Sequence, residues 1–318
     1  MSNATISIVT PSYNQGAFLE ETIRSVISQE GDFSLDYIIV DGGSTDNSLE
    51  IIRKYEALFK EGKWPIQCQG IRYRWLSGPD SGQADAINKG FRLADGDILA
   101  WLNSDDTYLE GTLLKVADFF AMHPETDVLY GRSRFVNEIG KAMGDYPTRP
   151  FDPRLLATFN FVCQPSAFFR RAALEWTGPL DSGLRYVMDY ELWIRMSKRY
   201  SFVYLPEFLS TYRLHEMSKT ISARDAVANH EECLRTVLKY YDWAPFNRVY
   251  GYCHHVIRSR LPLSLGKVRV VAIPLSLIFS LLKYLKLNKK VKIEDLKMIN
   301  SVNAGKLFKD WIDIFREY

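Results

Sequence analysis

The sequence predicts an α/β protein with a mostly parallel, doubly wound sheet, followed by a helical region at the C-terminus. Short β-rich runs alternate with stretches of helical apolar spacing over residues 6–102, the pattern of strand, helix, strand units. Polar clusters follow directly after these strands. Because such sheets bind ligands at the carboxyl ends of their strands, the polar clusters form the candidate site.

The individual elements follow from spacing and from turn residues. Strands are expected at residues 6–10, 35–40, 73–76 and 97–102, and helices at residues 16–29, 46–59 and 83–93. A helix at residues 111–122 follows, and then the alternation weakens. Short strands are expected at residues 128–130, 133–136, 166–169, 201–205 and 209–213, and a further helix at residues 189–199. We place a boundary near residue 220, which separates residues 1–220 from residues 221–318.

Composition and charge limit the possible partners. A hydrophobic fraction of 47% in 318 residues fills a sizeable core, so disorder is not expected. The first residues contain neither the basic stretch nor the long apolar stretch of a secretory signal. The four cysteines show no disulfide pattern, so we expect a cytoplasmic protein. Ten Lys/Arg and no acid lie between Trp243 and Glu294, leaving −8 on the rest of the chain. The two ends should therefore meet different partners, and no nucleic acid is expected.

The first two strand ends resemble a pocket for a nucleoside. The first reads Thr-Pro-Ser-Tyr-Asn at 10–14 and the second Asp-Gly-Gly-Ser-Thr-Asp at 41–46. In such a sheet the two turns are neighbours, so Tyr13 can stack on a base while Asp41 accepts from a pyrimidine imide. The other candidate residues here are Thr10, Pro11, Asn14, Gly42 and Ser44. The alternative is structural, with Asp41 in a turn and Asp46 as a helix N-cap.

An acidic turn follows the fourth strand and reads Asn103-Ser104-Asp105-Asp106. Adjacent carboxylates raise each other's pKa unless a cation lies between them. Mg²⁺ or Mn²⁺ resolves this repulsion and can bridge to a diphosphate. A solvated loop is the alternative, but the position directly after a strongly apolar strand favours the cation.

Taken together, these motifs resemble those of the family-2 glycosyltransferases, which are inverting enzymes with the Rossmann-like GT-A fold. The matching segments are residues 10–14, 41–46, 78–90, 102–106, 164–171, 186–195 and 212–215. The resemblance runs in order over residues 5 to about 220. It implies a catalytic domain over residues 1–220, with a nucleotide-sugar half at 1–106 and an acceptor half at 107–220.

The resemblance also implies roles for single residues. Asn103-Ser104-Asp105 lies at the family's Asp-x-Asp metal motif, so Asp105 resembles the direct ligand of a divalent cation, with Asp106 assisting. The first acidic position is Asn here, which removes one negative charge. Asp189 resembles the catalytic base, with a helix N-cap as its alternative role. The resemblance also implies that Asp80 and Asp85 contact the donor, although Asp85 could instead be an acid in the first turn of a helix. It places His215 near the metal and the diphosphate, with a structural role as the alternative.

The C-terminal region contains an apolar stretch flanked by basic residues. Its uninterrupted part, residues 270–282, has thirteen residues, whereas a spanning helix takes about twenty. We expect a helix lying in the interface of an anionic membrane, with Lys283, Lys286, Lys289 and Lys290 near headgroups. The alternative is a helical cap on the catalytic body. A zinc site formed by His230, Cys233, Cys253, His254 and His255 is a further alternative, although the spacing matches no common pattern.

The sequence therefore predicts an inverting glycosyltransferase that uses a nucleoside-diphosphate sugar, with UDP favoured. The acceptor hydroxyl belongs to a saccharide or a lipid-linked molecule, in cell-surface polysaccharide or glycolipid assembly at the inner face of the membrane. Two alternatives are a sugar-nucleotide pyrophosphorylase and a non-catalytic protein that binds nucleotide sugars. A pyrophosphorylase would need a cationic phosphate loop after the first strand, and residues 10–16 contain no Lys or Arg.

Overall fold

The computed structural model describes residues 4–216, 218, 225–261, 269–288, 291 and 295. The strands are β1 (Thr5–Ser12), β2 (Gly31–Asp41), β3 (Cys68–Ser77), β4 (Ile98–Trp101), β5 (Thr107–Tyr108), β6 (Val128–Val136), β7 (Ala142–Asp145), β8 (Ala167–Arg170) and β9 (Phe202–Arg213). The helices are α1 (Leu19–Ile27), α2 (Ser48–Lys60), α3 (Gln83–Leu93), α4 (Thr112–Met122), α5 (Pro153–Thr158), α6 (Arg171–Thr177), α7 (Met188–Met196), α8 (Ala226–Tyr240), α9 (Phe246–Arg260) and α10 (Arg269–Asn288).

The first four strands form a parallel sheet in the order β3-β2-β1-β4. The central strands β1 and β4 are buried on both faces, as is typical of parallel strands covered by helices, and Ile6, Ile8 and Val9 of β1 are fully buried. Gly90 of α3 allows close packing, since a Cβ there would come within 2.3 Å of Val9 Cγ1. The register pairs Ser12 with Asp41, so the loops after β1 and β2 leave the same edge. The predicted α/β fold is thereby confirmed.

Beyond β4 the sheet is mixed. Strand β8 runs antiparallel to both β4 and β6, while β6 and β9 are parallel. The two short strands expected at 128–130 and 133–136 are one strand, β6. Gly131 lies where its pairing with β9 shifts, and a Cβ there would come within 2.5 Å of Leu209 Cδ1. Strands β5 and β7 were not predicted, because two and four residues give too little periodicity to detect.

The chain folds into two compact units. The first comprises residues 4–151 and 161–213, and contains the whole sheet. Its main core packs α1, α2 and α4 against β1, β2 and β4, through buried residues such as Ile23, Ile39 and Val116. The second comprises residues 152–160 and the described residues from 214 onward.

The second unit contains a small core of its own, formed by Leu234, Ala244, Val249, Cys253 and Tyr284. The rings of His230 and His255 lie 4.3 Å apart beside it. Burial, followed by the neighbouring histidines, lowers the pKa of His255 to about 4, so the ring is neutral and packs as an aromatic side chain. Within the described ranges no group of three or more His, Cys, Asp or Glu could hold a metal ion, which argues against the zinc alternative.

Helix α10 has its large apolar side chains on the outside. Its buried positions recur every four residues, at Ala272, Ser276, Ser280 and Tyr284, all at most 2% exposed. The exposed positions, 39–61% accessible, are Ile273, Leu277, Ile278, Phe279, Leu281, Leu282 and Leu285. The helix has 20 residues, longer than the uninterrupted apolar stretch. By length and composition alone, its segment 271–288 could cross a membrane, with mean hydropathy 1.4 and 22% of it buried.

Candidate active site

Backbone and side-chain hydrogen bonds join the loops after β1 and β2. Asn14, at φ 52°, donates its N–H to Ser44 Oγ at 2.8 Å, and Thr45 N donates to Asn14 Oδ1 at 2.8 Å. The carboxylate of Asp46 accepts from Gly16 N at 2.9 Å and from Ser48 N at 3.0 Å. Burial alone would raise the pKa of Asp46, but these hydrogen bonds outweigh it and lower the pKa.

The predicted N-cap role of Asp46 is wrong by one residue. The structure places Asn47 at the N-cap of α2. Asp46 nevertheless satisfies the N–H of the first helical residue, Ser48, as a cap would. This carboxylate therefore joins the two loops rather than facing a ligand.

Asp41 is fully buried at the end of β2 and holds the turn that follows. One carboxylate oxygen accepts from Gly43 N and Ser44 N, each at 3.0 Å, and from Ser77 Oγ at 2.7 Å. The other accepts from Ser44 Oγ. Thr10 is also fully buried, and its hydroxyl accepts from Tyr37 at 3.1 Å. Both buried side chains support the loops that follow their strands. Recognition of a base by Asp41 stays a prediction.

Tyr13, Gly42 and Asp80 lie in contact at this edge of the sheet. A Cβ at Gly42 would come within 2.8 Å of Asp80 Oδ2 and 3.3 Å of Tyr13 Cδ2. Tyr13 is 61% exposed, so one face of its ring is open to solvent. Ser12, 3% exposed, has a hydroxyl with no hydrogen-bond partner in the described part of the chain. Pro11 is buried beside it, at the end of β1.

Asp80 lies in the turn before α3, and Asp85 lies in the first turn of that helix. Asp80 Oδ1 accepts from Gly82 N at 2.8 Å, which fixes the turn. Asp85 accepts from Ser81 N at 3.1 Å and pairs with Lys89 at 3.1 Å; these contacts, in that order, lower its pKa. Asp85 therefore has the first-turn role that was the alternative, and contact with a donor stays a prediction for both residues.

The acidic turn after β4 contains two carboxylates in different environments. Asp106 is fully buried: Oδ1 accepts from Arg213 N at 2.9 Å, and Oδ2 accepts from Asn103 Nδ2 at 3.4 Å. Burial, and then the charge of Asp105, raise the pKa of Asp106 well above its usual range. Asp105 itself is only half-buried, whereas Ser104 is buried. Of the two, Asp105 is the carboxylate that a ligand in the cleft can reach.

Arg213 fixes the backbone of this turn from beneath. Its guanidinium, 2% exposed, donates to the carbonyl oxygen of Asp105 at 2.9 Å and pairs with Glu21 at 2.5 Å. It also donates to the carbonyls of Asn137 and Glu138, at 3.1 and 2.9 Å. These contacts give Arg213 a structural role.

Asp189 lies in the first turn of α7, where a negative charge is favourable. The N-cap of α7 is Val187, so the alternative of an N-cap role for Asp189 is wrong. Trp193, one turn further along, stacks on Trp101 of β4 with centroids 5.5 Å apart and 20° between planes. Since four residues of helix rise by about 6 Å, Asp189 is held within one turn of a contact to the strand that precedes the acidic turn.

Burial raises the pKa of the Cys163 thiol, and the carboxylates of Asp106 and Asp189 raise it further. The stack of Trp193 on Trp101 connects α7 to β4, the strand that leads into the acidic turn. That Asp105 and Asp189 face one common site stays a prediction.

His215 belongs to the second unit. Its N–H donates to Ser218 Oγ at 3.0 Å, and Ser218 N donates back to its carbonyl at 2.8 Å. A role near metal and diphosphate stays a prediction for His215.

Two polar residues that sequence reasoning gave no such role connect to the acidic turn. Gln83 Nε2 donates to Asn103 Oδ1 at 2.7 Å, and Asn103 Nδ2 donates to Gln164 Oε1 at 3.0 Å. Gln164 Nε2 also donates to the carbonyl of Trp101 at 2.6 Å. The signal in the sequence that could have found Gln83 and Gln164 was that each follows a turn at the sheet edge where the acidic turn lies.

Comparison with known proteins gives a consistent result. The family described as Glycosyl transferase family 2 matches residues 7–177. A PGL/p-HBAD biosynthesis glycosyltransferase of Mycobacterium bovis is 33% identical over 198 residues, 61% of this chain and 70% of that protein. An uncharacterized glycosyltransferase of Nostoc sp. is 26% identical over 242 residues, 71% of this chain and 70% of that protein.

Solved structures share the fold. S. aureus TarS 1-349 in complex with UDP-GlcNAc has a TM-score of 0.56 at 19% identity, covering 89% of this chain and 81% of that one. The mannosyltransferase PcManGT from Pyrobaculum calidifontis, in complex with GDP-Man and Mn²⁺, has a TM-score of 0.57 at 14% identity, covering 93% and 88%. The chain belongs to glycosyl transferase family 2, is a glycosyltransferase, and has the GT-A fold.

Proposed function

We propose that this glycosyltransferase moves a sugar from a nucleoside-diphosphate sugar to an acceptor hydroxyl by single displacement with inversion. The observation that carries the proposal is the placement of Asp105 and Asp189. Asp105 is half-buried in the turn after β4, and Asp189 lies in the first turn of α7, which packs on β4 through the stack of Trp193 on Trp101. A leaving diphosphate at one and a base at the other are what this reaction needs.

The donor nucleoside would lie over the loops after β1 and β2. Tyr13 offers an exposed ring on which a base can stack, and Gly42 allows the close approach of Asp80, since a Cβ there would come within 2.8 Å of Asp80 Oδ2. Structural neighbours have been solved with UDP-GlcNAc and with GDP-Man, which supports a nucleoside-diphosphate sugar as the class. We favour uridine on the expectation from the sequence that Asp41 accepts from the imide N–H of a pyrimidine.

A divalent cation fits the turn after β4. Mg²⁺ and Mn²⁺ take oxygen ligands and are commonly bound by one or two carboxylates together with substrate phosphates. Asp105 supplies such an oxygen from a half-buried position. Asp106 is the weaker candidate, because its two oxygens already accept from Arg213 and Asn103. When bound, the cation would supply Lewis-acid stabilisation of the diphosphate charge.

Asp189 would act as the general base. It accepts the proton of the acceptor hydroxyl while the hydroxyl oxygen attacks the anomeric carbon. The bond from that carbon to the diphosphate oxygen breaks on the opposite face, and the diphosphate leaves with the electron pair. The stack of Trp193 on Trp101 fixes the helix that carries this carboxylate, so its aim does not depend on a loop.

Calorimetric titration tests the donor and cation assignments. UDP, GDP and TDP are titrated with Mn²⁺, with Mg²⁺ and with EDTA into wild type, Asp105→Asn and Glu110→Gln. We expect cation-dependent binding that Asp105→Asn weakens at least tenfold. Glu110 is an exposed acid after β5 and serves as the matched control, so its variant should bind as wild type does. Equal binding of all three proteins would contradict the assignment of Asp105.

We also propose that the second unit contacts an anionic membrane through α10. A soluble helix buries its large apolar side chains, whereas α10 buries two serines and exposes leucines, isoleucine and phenylalanine. The serine hydroxyls are satisfied, since Ser276 donates to Ala272 O and Ser280 to Ser276 O. An apolar groove of about 290 Å³ between α9 and α10, lined in part by Val256 and Phe279, continues this surface.

The basic residues supply the matching charge. Residues 244–293 contain ten Lys/Arg and no acid, and Lys283 and Lys286 lie on α10 itself. Each basic residue near an anionic leaflet contributes about 1 kcal/mol to binding. A membrane contact at the inner face would bring the enzyme to a lipid-linked acceptor, such as one used in cell-surface polysaccharide or glycolipid assembly.

Vesicle sedimentation tests this contact. We expect binding to phosphatidylglycerol-containing vesicles, reduced on pure phosphatidylcholine and by 0.5 M salt. Leu282→Glu, at a position 61% exposed, should abolish it. Met122→Glu, at a position 68% exposed in the first unit, is the matched control and should bind normally. Equal recovery of both variants with the vesicles would contradict the proposal.

A further inference from the structure

The three amides beside the acidic turn form a chain with a fixed direction. The carbonyl oxygen of Trp101 can only accept, so the group of Gln164 that faces it at 2.6 Å must be the NH₂. The Oε1 of Gln164 then faces Asn103, which must present its own NH₂ at 3.0 Å. The Oδ1 of Asn103 consequently faces Gln83. A single backbone carbonyl thus sets the orientation of all three amides.

This direction determines which side chain position 103 accepts. Gln164 is 8% exposed and Asp106 is fully buried, and both present oxygen to residue 103. Asn103 Nδ2 donates to both oxygens. A carboxylate there has no proton to donate, so Gln164 Oε1 would lose its donor, and the contact with Asp106 would persist only with a proton held between the two carboxyl groups. Rotating the Gln164 amide would present its NH₂ to a carboxylate at position 103. Its oxygen would then face the Trp101 carbonyl, however, and neither of those two oxygens carries a proton.

We propose that Gln164 is a positioning residue that requires an amide at position 103, so that Asn103 holds Asp106 in place and Asp105 alone faces the cation. The inference rests on the proposed function only where it concerns the cation. It makes an unusual prediction: restoring the family's first acidic residue, Asn103→Asp, should harm this enzyme rather than improve it. If position 103 were instead a simple ligand position, the added charge would tighten cation binding.

A double-mutant cycle tests the coupling, using wild type, Asn103→Asp, Gln164→Ala and the double variant. The first readout is the urea midpoint, which needs neither cation nor activity. Asn103→Asp should lower the midpoint in the wild-type background, and the same change should cost less than half as much in the Gln164→Ala background. Gln83→Ala, at the half-buried outer end of the chain, is the matched control and should shift the midpoint least.

The second readout is the Mn²⁺ concentration that gives half-maximal release of nucleoside diphosphate from a UDP-sugar. Asn103→Asp should raise it at least tenfold in the wild-type background and less than threefold in the Gln164→Ala background. A lower Mn²⁺ requirement in Asn103→Asp, or equal penalties in both backgrounds, would overturn the proposal. If wild type shows no Mn²⁺-dependent release, the proposed cation role fails, while the urea cycle still decides whether Gln164 and Asn103 are coupled.

Discussion

Replacing Arg213 by methionine should cost more stability than neutralising its ion-pair partner, Glu21. Both changes break the same ion pair, but Arg213 is buried and Glu21 is exposed. Arg213 is 2% exposed and donates to the carbonyls of Asp105, Asn137 and Glu138, whereas its partner Glu21 has a side chain 58% exposed. Methionine fills similar space without any donor. Glu21 is exposed and keeps its hydration, but each carbonyl that loses its donor costs about 1–3 kcal/mol, so we expect a loss of about 3–5 kcal/mol for Arg213→Met.

The matched control is Glu21→Gln, which changes the other end of the pair. An exposed ion pair contributes about 0–1 kcal/mol, and water replaces the lost contact, so Glu21→Gln should cost less than about 1 kcal/mol. Arg213 also keeps its three carbonyl contacts in that variant. The two variants therefore break the same ion pair but should differ several-fold in cost.

Urea unfolding measured by tryptophan fluorescence gives both free energies. Arg213→Met should also raise the Mn²⁺ requirement for nucleotide release, because the backbone of Asp105 loses its support, while Glu21→Gln should not. Equal losses below about 1 kcal/mol for both variants would refute the reasoning, since burial would then not decide the outcome.

Three further changes test other parts of the structure. Trp193→Ala removes the stack that fixes α7; it should cost about 3–5 kcal/mol in urea unfolding and reduce turnover more than donor binding, because Asp189 loses its aim. Gly42→Val should raise the Kd of UDP at least tenfold in calorimetry, because its side chain would displace Asp80 and Tyr13, which a Cβ at this position would already approach within 2.8 and 3.3 Å. His255 has a folded pKa of about 4, below its unfolded value, so its stabilisation is complete above pH 6.5 and is lost as the pH falls towards 4. Discounted for partial exposure, this is about 1 kcal/mol between pH 7 and pH 5, and His255→Gln should flatten that dependence in urea titrations.

Local sequence signals predicted the elements that have strong periodicity and clear ends. Helix α3 was expected at 83–93 and lies at Gln83–Leu93, because Gly82 precedes it and its apolar positions repeat at helical spacing. The acidic turn was placed after the fourth strand, where it lies. Elements without periodicity were not predicted. Strand β5 is an example, because its pairing with β9, rather than its local sequence, makes it a strand.

Side-chain roles were less predictable than positions. Asp41 is buried and accepts four hydrogen bonds from its own turn and from Ser77 of the neighbouring strand, a structural role that the sequence left as an alternative to contact with a base. Nothing in the sequence states whether a carboxylate at a strand end points into a turn or out of it. The amide chain joins positions separated by 20 and by 61 residues, so only the fold could reveal it.

The most direct test of the proposed mechanism compares donor binding with turnover in Asp189→Asn. Calorimetry with UDP and Mn²⁺ should give a Kd within threefold of wild type, because Asp189 lies on the acceptor side of the proposed displacement. Nucleotide release from the best UDP-sugar should fall by at least a hundredfold, since general-base catalysis contributes about 10²–10⁴-fold. Turnover near the wild-type rate with unchanged binding would contradict the assignment of Asp189 as the base.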